Sequence, residues 1–308
     1  MRSLAIDLLK IVLAFFVVGL HMHFLRKSFP ELSYVLVNGL FRLGVPVFLI
    51  ISGFYFYFVN DVVKLKKWLI RIFLLYAIWS IVYIPLWKKE EVFSNIVFGY
   101  HHLWYLIGTC FAGILLYLVR NSKFKSIVFL IALFFLCGYT LQFLGNSHYF
   151  SGETDVFFNL FPLYRNFLFV CFPFLAIGFL IKKYEIDVKR KPSFGLVLLS
   201  VLAVVAEAFF NIKVLKLPLK DSVDLLFTLL LACPVLFIYC KNLPFKTESK
   251  ILASFSTAMY LIHPLLMFYI FKSKNVTILK YEDLLFFSAL IISSLLLVFI
   301  NKKLKYIL

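Results

Sequence analysis

The chain has 308 residues, 63% of them apolar and only 15% charged, with 39 Phe and 17 Tyr, a composition that excludes an ordinary soluble domain. Lys and Arg outnumber Asp and Glu by 32 to 15. These basic residues are spread in short segments between apolar runs instead of forming one stripe, which argues against a nucleic-acid-binding face and fits the loops of an integral membrane protein.

A spanning helix needs about 20 mainly apolar residues. The chain offers ten such runs: 4–25, 35–59, 68–87, 103–119, 126–145, 158–181, 194–212, 222–240, 251–271 and 282–300. The predicted fold is therefore all-α, a single polytopic membrane domain over residues 1–308. The first run has the length of a signal peptide, but Asp7 and Lys10 interrupt it and no small-residue cleavage site follows, so it is expected to be retained. Alternate loops differ in charge: nineteen Lys and Arg, among them Arg2, Lys64, Lys123, Lys183, Lys250 and Lys305, fall on one side. The other side has ten, including Lys88, Lys89, Lys274 and Lys280. Both termini are expected to be cytoplasmic.

Three basic residues, Lys10, Arg42 and Arg165, fall inside predicted spans. A charge at membrane depth costs at least about 2.5 kcal/mol, so it faces a cavity or a partner. The bland alternative is an interfacial anchor or an ion pair such as Asp7 with Lys10 at i,i+3. In the first run Lys10 and His21 stand eleven positions apart, which places them on one helix face about 16 Å apart along the axis. Asp7 shares that face. A polar stripe through lipid is expected to line a water-filled or ligand-filled channel.

Further polar groups collect at the level of His21. Arg42 lies in "LFRLGVPVFLIISGFYF", His101 and His102 open "HHLWYLIG" with Trp104 and Tyr105 just below, Arg165 and Asn166 lie in "PLYRNFLF", and His263 lies in "STAMYLIHPLL". Gly44 and Pro46 weaken the second run, Ser52 and Gly53 follow at mid-depth, and Pro264 frees the carbonyl of Tyr260. His23 and His148 read as interfacial or exposed. The five cysteines lie within spans, with no CxxC and no zinc-type spacing, and read as packing residues. No phosphate-cradling glycine loop, dinucleotide fingerprint or metal motif is present.

The stretches "IDLLKIVLAFFVVGLHMHF", "GVPVFLIISGFYF", "HLWYL" and "STAMYLIHPLL", in this order on ten spans, resemble the acyltransferase 3 family of integral membrane acyltransferases, and the resemblance covers essentially the whole chain. It implies an enzyme of the bacterial plasma membrane. The activity it implies is transfer of an acyl group, typically acetyl, from cytoplasmic acyl-CoA to a surface carbohydrate or lipid-linked glycan, with no permanently bound cofactor. Lys10 and His21 match the family's basic-x10-His motif. The family's Arg-x-x-Arg pair at the inner start of the third span is less faithful: in "KKWLIRIF" Trp68 stands where the first Arg would fall, so that Lys67 and Arg71 are left to meet the donor phosphates.

Attack of a sugar hydroxyl on an acyl thioester needs a base and a stabiliser for the oxyanion. The expected catalytic set is His21, Arg42, His102 and His263. Asp7, Lys10, Ser52, Lys67 and Arg71 are expected to meet the acyl-CoA, and Trp104, Tyr105, Arg165 and Tyr260 the acceptor. His21 would act either as a base for direct transfer or as the site of a transient acyl group. The competing expectation is a transporter or flippase of a polar solute or lipid-linked sugar, which buried charges and broken helices also fit. Dependence on acyl-CoA separates the two.

Overall fold

The computed structural model describes residues 2–272, 282–304 and 306–308; Lys274, Lys280 and Lys305 of the charge count lie outside them. The chain is helical almost throughout. Twelve helices are numbered here: α1 (Leu4–His21), α2 (Pro30–Val37), α3 (Gly44–Phe56), α4 (Val62–Tyr83), α5 (Trp104–Val119), α6 (Phe124–Asn146), α7 (Gly152–Phe158), α8 (Phe172–Lys183), α9 (Phe194–Lys213), α10 (Leu229–Asn242), α11 (Ile251–Phe271) and α12 (Glu282–Ile300). Short helical turns occupy parts of the connections. Two-residue strands β1 (Arg2–Ser3) and β2 (Lys246–Thr247) pair antiparallel and tie the start of α1 to the loop before α11.

Helix starts follow local chemistry. Ser3 caps α1 by accepting from the Ile6 amide at 3.4 Å, Asp61 caps α4 by accepting from the Lys64 amide at 2.7 Å, and Ser193 caps α9, each satisfying a donor that the first turn leaves open. Among the described residues eight helical stretches are long and apolar enough to cross a membrane, and the chain is a multi-pass membrane protein. Many side chains facing outward are apolar, with Phe129 63%, Leu199 65% and Leu296 58% exposed. Such a surface would be costly in water and suits lipid.

Three predicted spans are not single helices. Run 35–59 starts earlier, at Pro30, and is interrupted between α2 and α3 by Asn38, Gly39 and a 3-10 turn over Leu40–Leu43. Run 158–181 is divided into Phe161–Tyr164, a π turn over Phe167–Cys171 and α8. Run 222–240 is helical only from Leu229, and its first seven residues lie outside any helix. The last difference matters most. Non-helical backbone at membrane depth must find partners within the protein, and here side chains supply them. Gln142 accepts from the amides of Asp224 (2.6 Å) and Leu225 (2.9 Å) and donates to the Leu225 carbonyl (2.9 Å). Glu207 accepts from the amides of Phe227 and Thr228, both at 2.8 Å. Asn38 accepts from the Val223 amide at 3.0 Å and Asn146 donates to the Ser222 carbonyl at 2.9 Å.

The core forms where α3 packs on α8 with α6 and α10 around them, burying Leu49, Ile50, Phe54, Phe174, Leu175 and Phe237. Gly53 and Gly178 allow the close crossing. A Cβ on Gly53 would fall 1.9 Å from the Leu175 carbonyl oxygen, and one on Gly178 2.1 Å from that of Ile50, so only glycine permits the two backbones to touch. A second cluster joins α1, α4, α5 and α11 through Val17, Trp79, Tyr83, Leu106 and Leu261. A third joins α1, α11 and α12 through Ala14, Val18, Met259 and Leu290. Helix α1 thus packs against α3, α10 and α11 on one side and leaves Leu8, Val12 and Phe15 exposed on the other, so its polar residues face interior space and its apolar ones the outside.

Candidate functional site

The site has two ends, joined by α1. At the end nearer its N-terminus, Arg2, Asp7, Lys10, Ser52, Trp68, Arg71 and Lys250 line a cavity of about 480 Å³. Asp7 is buried and accepts from Arg2, Nη2 to Oδ1 at 3.1 Å and Nε to Oδ2 at 3.3 Å. The alternative pairing of Asp7 with Lys10 does not form: among the described residues no carboxylate lies within salt-bridge distance of Lys10. Lys10 is half-buried and also lines the next cavity, about 210 Å³, whose wall includes Ser52, Tyr105, Thr109, Thr257 and Tyr260. Lys10, Ser52 and Thr257 are common to both cavities. Lys67 is exposed and outside both linings, whereas Arg71 and Trp68 line the wider one. Trp68 is seated against Gly113, where a Cβ would come within 2.3 Å of its ring.

At the other end of α1, four imidazoles come together. The His21 ring centroid lies 4.5 Å from that of His101 and 5.2 Å from that of His263, and His263 lies 5.2 Å from His102. The freed carbonyl expected from Pro264 is present and used: His263 Nδ1 lies 2.8 Å from the Tyr260 oxygen and 3.2 Å from that of Met259. Because a carbonyl only accepts, Nδ1 carries the proton and Nε2 keeps its lone pair. That Nε2, and both ring nitrogens of His102, are buried without a hydrogen-bond partner. Tyr260 donates to the His102 carbonyl and Tyr83 to that of Leu261 at 2.7 Å, holding α5 and α11 in place around the cluster. Among the described residues no group of three or more His, Cys, Asp or Glu has the arrangement of a metal site.

Beside His21 a smaller cavity, about 40 Å³, is lined by Phe41, Arg42, Trp104, Arg165 and Asp224. Both arginines, expected to face a cavity or a partner, do both: they line this cavity and share one carboxylate. Asp224 accepts from Arg165 Nε at 2.8 Å and Nη2 at 2.6 Å, and from Arg42 Nη1 on its other oxygen. Arg42 also donates to Asn38 at 2.9 Å, its Nε is buried without a partner, and Arg165 stacks over Phe161 at 4.2 Å. Two guanidiniums and one carboxylate leave a net charge of one beside His21. Val45 lines both this cavity and the 210 Å³ one, so the three spaces follow α1 from Arg2 to His21.

Of the expected residues, His21, His102 and His263 come together, as do Arg42, Arg165 and Trp104 next to them; Asp7, Lys10, Ser52 and Arg71 gather at the opposite end, with Tyr105 and Tyr260 between. Two residues here stand outside the expected set, although the sequence places His101 at the level of His21. His101 follows no helical register, because its backbone is left-handed (φ 50°) and enters a 3-10 turn that lets both His101 and His102 face the cluster. Asp224 stands in "KDSVDLLF", which reads as the start of a helix, and only the non-helical backbone carries it to the arginines. His148 is exposed at its surface, as expected, but bridges two carboxylates, Asp155 at 2.8 Å and Asp221 at 3.0 Å.

A multi-pass bundle with cavities running beside one polar-striped helix to a histidine cluster, in which His102 and His263 are buried, His21 half-buried and His101 exposed, defines a membrane protein with an internal reaction or binding site. The family follows from comparison. A family model described as an acyltransferase domain, acyltransferase 3, matches residues 3–301, and the chain belongs to that family. It is 28% identical to an amino-acid racemase of Enterococcus faecalis over 99% of this chain and 46% of that protein. It is 24% identical to a serine/alanine racemase of Enterococcus gallinarum over 86% of this chain and 41% of that protein. The chain thus spans less than half the length of these curated relatives. No solved structure matches it significantly.

Proposed function

We propose that the protein transfers an acyl group, acetyl in the simplest case, from cytoplasmic acyl-CoA to a hydroxyl of a surface carbohydrate or lipid-linked glycan on the far side of the membrane. The observation that carries this reading is the run of cavities along α1, from the basic mouth at Arg71 and Lys250, past Lys10, to His21. Coenzyme A is anionic at its nucleotide end and nearly neutral along its pantetheine arm, which matches a wide basic mouth followed by a narrower wall of hydroxyls and aromatic rings. The axial distance from Lys10 to His21, about 16 Å, is comparable with that arm.

At the far end His21 accepts the proton of the acceptor hydroxyl as its oxygen attacks the thioester carbonyl. The positive charge on the Arg42–Asp224–Arg165 group opposes the charge that develops on the carbonyl oxygen. Collapse breaks the carbon–sulfur bond, and the thiolate takes a proton to leave as free coenzyme A. His263, its Nδ1 proton committed to the Tyr260 carbonyl, presents an acceptor nitrogen to the cluster and can orient the imidazole of His21. An acyl-His21 intermediate uses the same groups in two steps.

A second reading is carriage of a polar solute, which the buried charges and interrupted helices also fit; the two relatives are named as acting on amino acids, which makes amino acids the solutes to test. One experiment separates them. Purified protein in lipid is supplied with radiolabelled acetyl-CoA and the release of coenzyme A is followed with and without a glycan acceptor. Acyl transfer predicts release that falls at least about a hundredfold in His21→Ala, the scale of a lost general base, with unchanged insertion and unfolding midpoint. Absence of donor turnover in the wild type, with amino-acid uptake into vesicles, would establish the second reading.

A further inference from the structure

At Asn38, the hydrogen-bond partner of Arg42, lies a cleft that the reaction above does not use. It is a cavity of about 50 Å³, bounded by the turn after α1 (His23, Arg26), by α2 (Tyr34, Asn38) and by the segment that carries Lys220 and Asp221. Three features distinguish it from a simple surface dent. Tyr34 lines it, is only 3% exposed, and has a hydroxyl buried with no partner, a state that costs free energy unless something fills it. Arg26 and Lys220 border it, and among the described residues neither forms a salt bridge. The one carboxylate in its lining, Asp221, is bound on its outer side by His148 Nε2.

We infer that this cleft is a subsite for an oxyanion, a carboxylate or phosphate group, held by the Tyr34 hydroxyl and the cations of Arg26 and Lys220. The volume admits a group of that size and little more, since one water already needs about 10–15 Å³ of such space. Asn38 connects the cleft to the reaction site, because its side chain accepts from Arg42 at 2.9 Å and donates to the Asp221 carbonyl at 3.2 Å. An anionic group seated here would therefore stand one hydrogen-bonded link from the Arg42–Asp224 pair. On the proposed function, the acceptor is an acidic glycan, carrying a uronic acid or a phosphate, and the cleft holds its charged unit while a neighbouring hydroxyl reaches His21. The inference rests on that reading only for the role of the anion; binding itself is measured without acyl transfer.

The test uses the full chain in phosphatidylcholine nanodiscs and reads the thermal unfolding midpoint against glucuronate and inorganic phosphate, with glucose and sodium chloride at matched ionic strength as controls. Wild type should be stabilised by glucuronate or phosphate and not by glucose. Tyr34→Phe removes only an unpartnered hydroxyl, so its midpoint without anion should equal or exceed that of wild type, and it should bind the anion at least about tenfold more weakly. Lys220→Gln should lose as much. Lys125→Gln, an exposed lysine in the first turn of α6 that lines none of these cavities, should keep the response. Stabilisation by phosphatidylglycerol nanodiscs that soluble anions cannot add to, and that Tyr34→Phe loses, would identify the source of the oxyanion as a lipid headgroup in the same cleft. A response unaltered in Tyr34→Phe and Lys220→Gln, a response lost instead in Lys125→Gln, or none with any anion would overturn the subsite. Because none of these readouts needs coenzyme A turnover, failure of acyl transfer and failure of the cleft remain distinct results.

Discussion

Asp224 decides the electrostatics around His21. With it, Arg42 and Arg165 are joined through one carboxylate at a combined charge of one; without it, two guanidiniums, the first of them 6% exposed, would face each other at membrane depth. Removing one partner from such a buried group leaves an uncompensated charge. Asp224→Ala should therefore lower stability by about 3–5 kcal/mol, and Asp224→Asn, which keeps the shape but not the charge, should lose nearly as much. A chemical unfolding curve in detergent measures this, and midpoints within about 0.5 kcal/mol of wild type, the range of an ordinary surface substitution, would remove Asp224 from that role. Residues were legible in the sequence where helical geometry alone set their direction. Lys10 and His21 on α1, and His263 ahead of Pro264, needed only about 100° per residue and a proline. Asp224 and His101 were not legible, since one sits on non-helical backbone and the other in a left-handed turn, and no period predicts where either points.

At the scale of elements, the segment over residues 221–228 is the part that sequence patterns misassign and that carries Asp224 to Arg42 and Arg165. Its apolar residues satisfy a hydropathy window as well as any helix. What holds it out of the helix is a set of side chains distant in sequence, Asn38, Gln142, Asn146 and Glu207, that bind its amides and carbonyls. Runs 35–59 and 158–181 are broken by turns as well; the remaining seven were legible because each buried stripe or lipid-facing surface is a property of its own residues, and their ends moved by six positions or fewer. His148 adds a latch to the segment from outside, linking Asp221 to Asp155 of α7. The hydrogen bonds it donates to Asp155, foremost, and to Asp221 raise its pKa above the ordinary histidine value. A group raised in the folded state contributes stability in full below its unfolded pKa, about 6.5, and loses it as pH rises through the folded value. His148→Ala should accordingly lower the unfolding midpoint at pH 6 and change it little at pH 9. An equal deficit at both values would show that the ring packs without titrating.

The whole molecule separates two kinds of chemistry by the length of one helix. Arg2, Lys10, Arg71 and Lys250 gather at the start of α1, and the imidazoles and the arginine–aspartate group lie at its end. On the expected topology, with both termini cytoplasmic, the first end meets the donor and the second the acceptor, so the acyl group crosses the membrane while coenzyme A stays behind. The direct measurement uses sealed proteoliposomes whose orientation is scored by an impermeant thiol reagent at Lys88→Cys or Lys123→Cys, with an acidic oligosaccharide trapped inside and radiolabelled acetyl-CoA added outside. Label should enter the trapped oligosaccharide only in vesicles that expose the Lys10 end to the bath, and His21→Ala should abolish it. Label transferred from acetyl-CoA supplied at the His21 end would contradict the account.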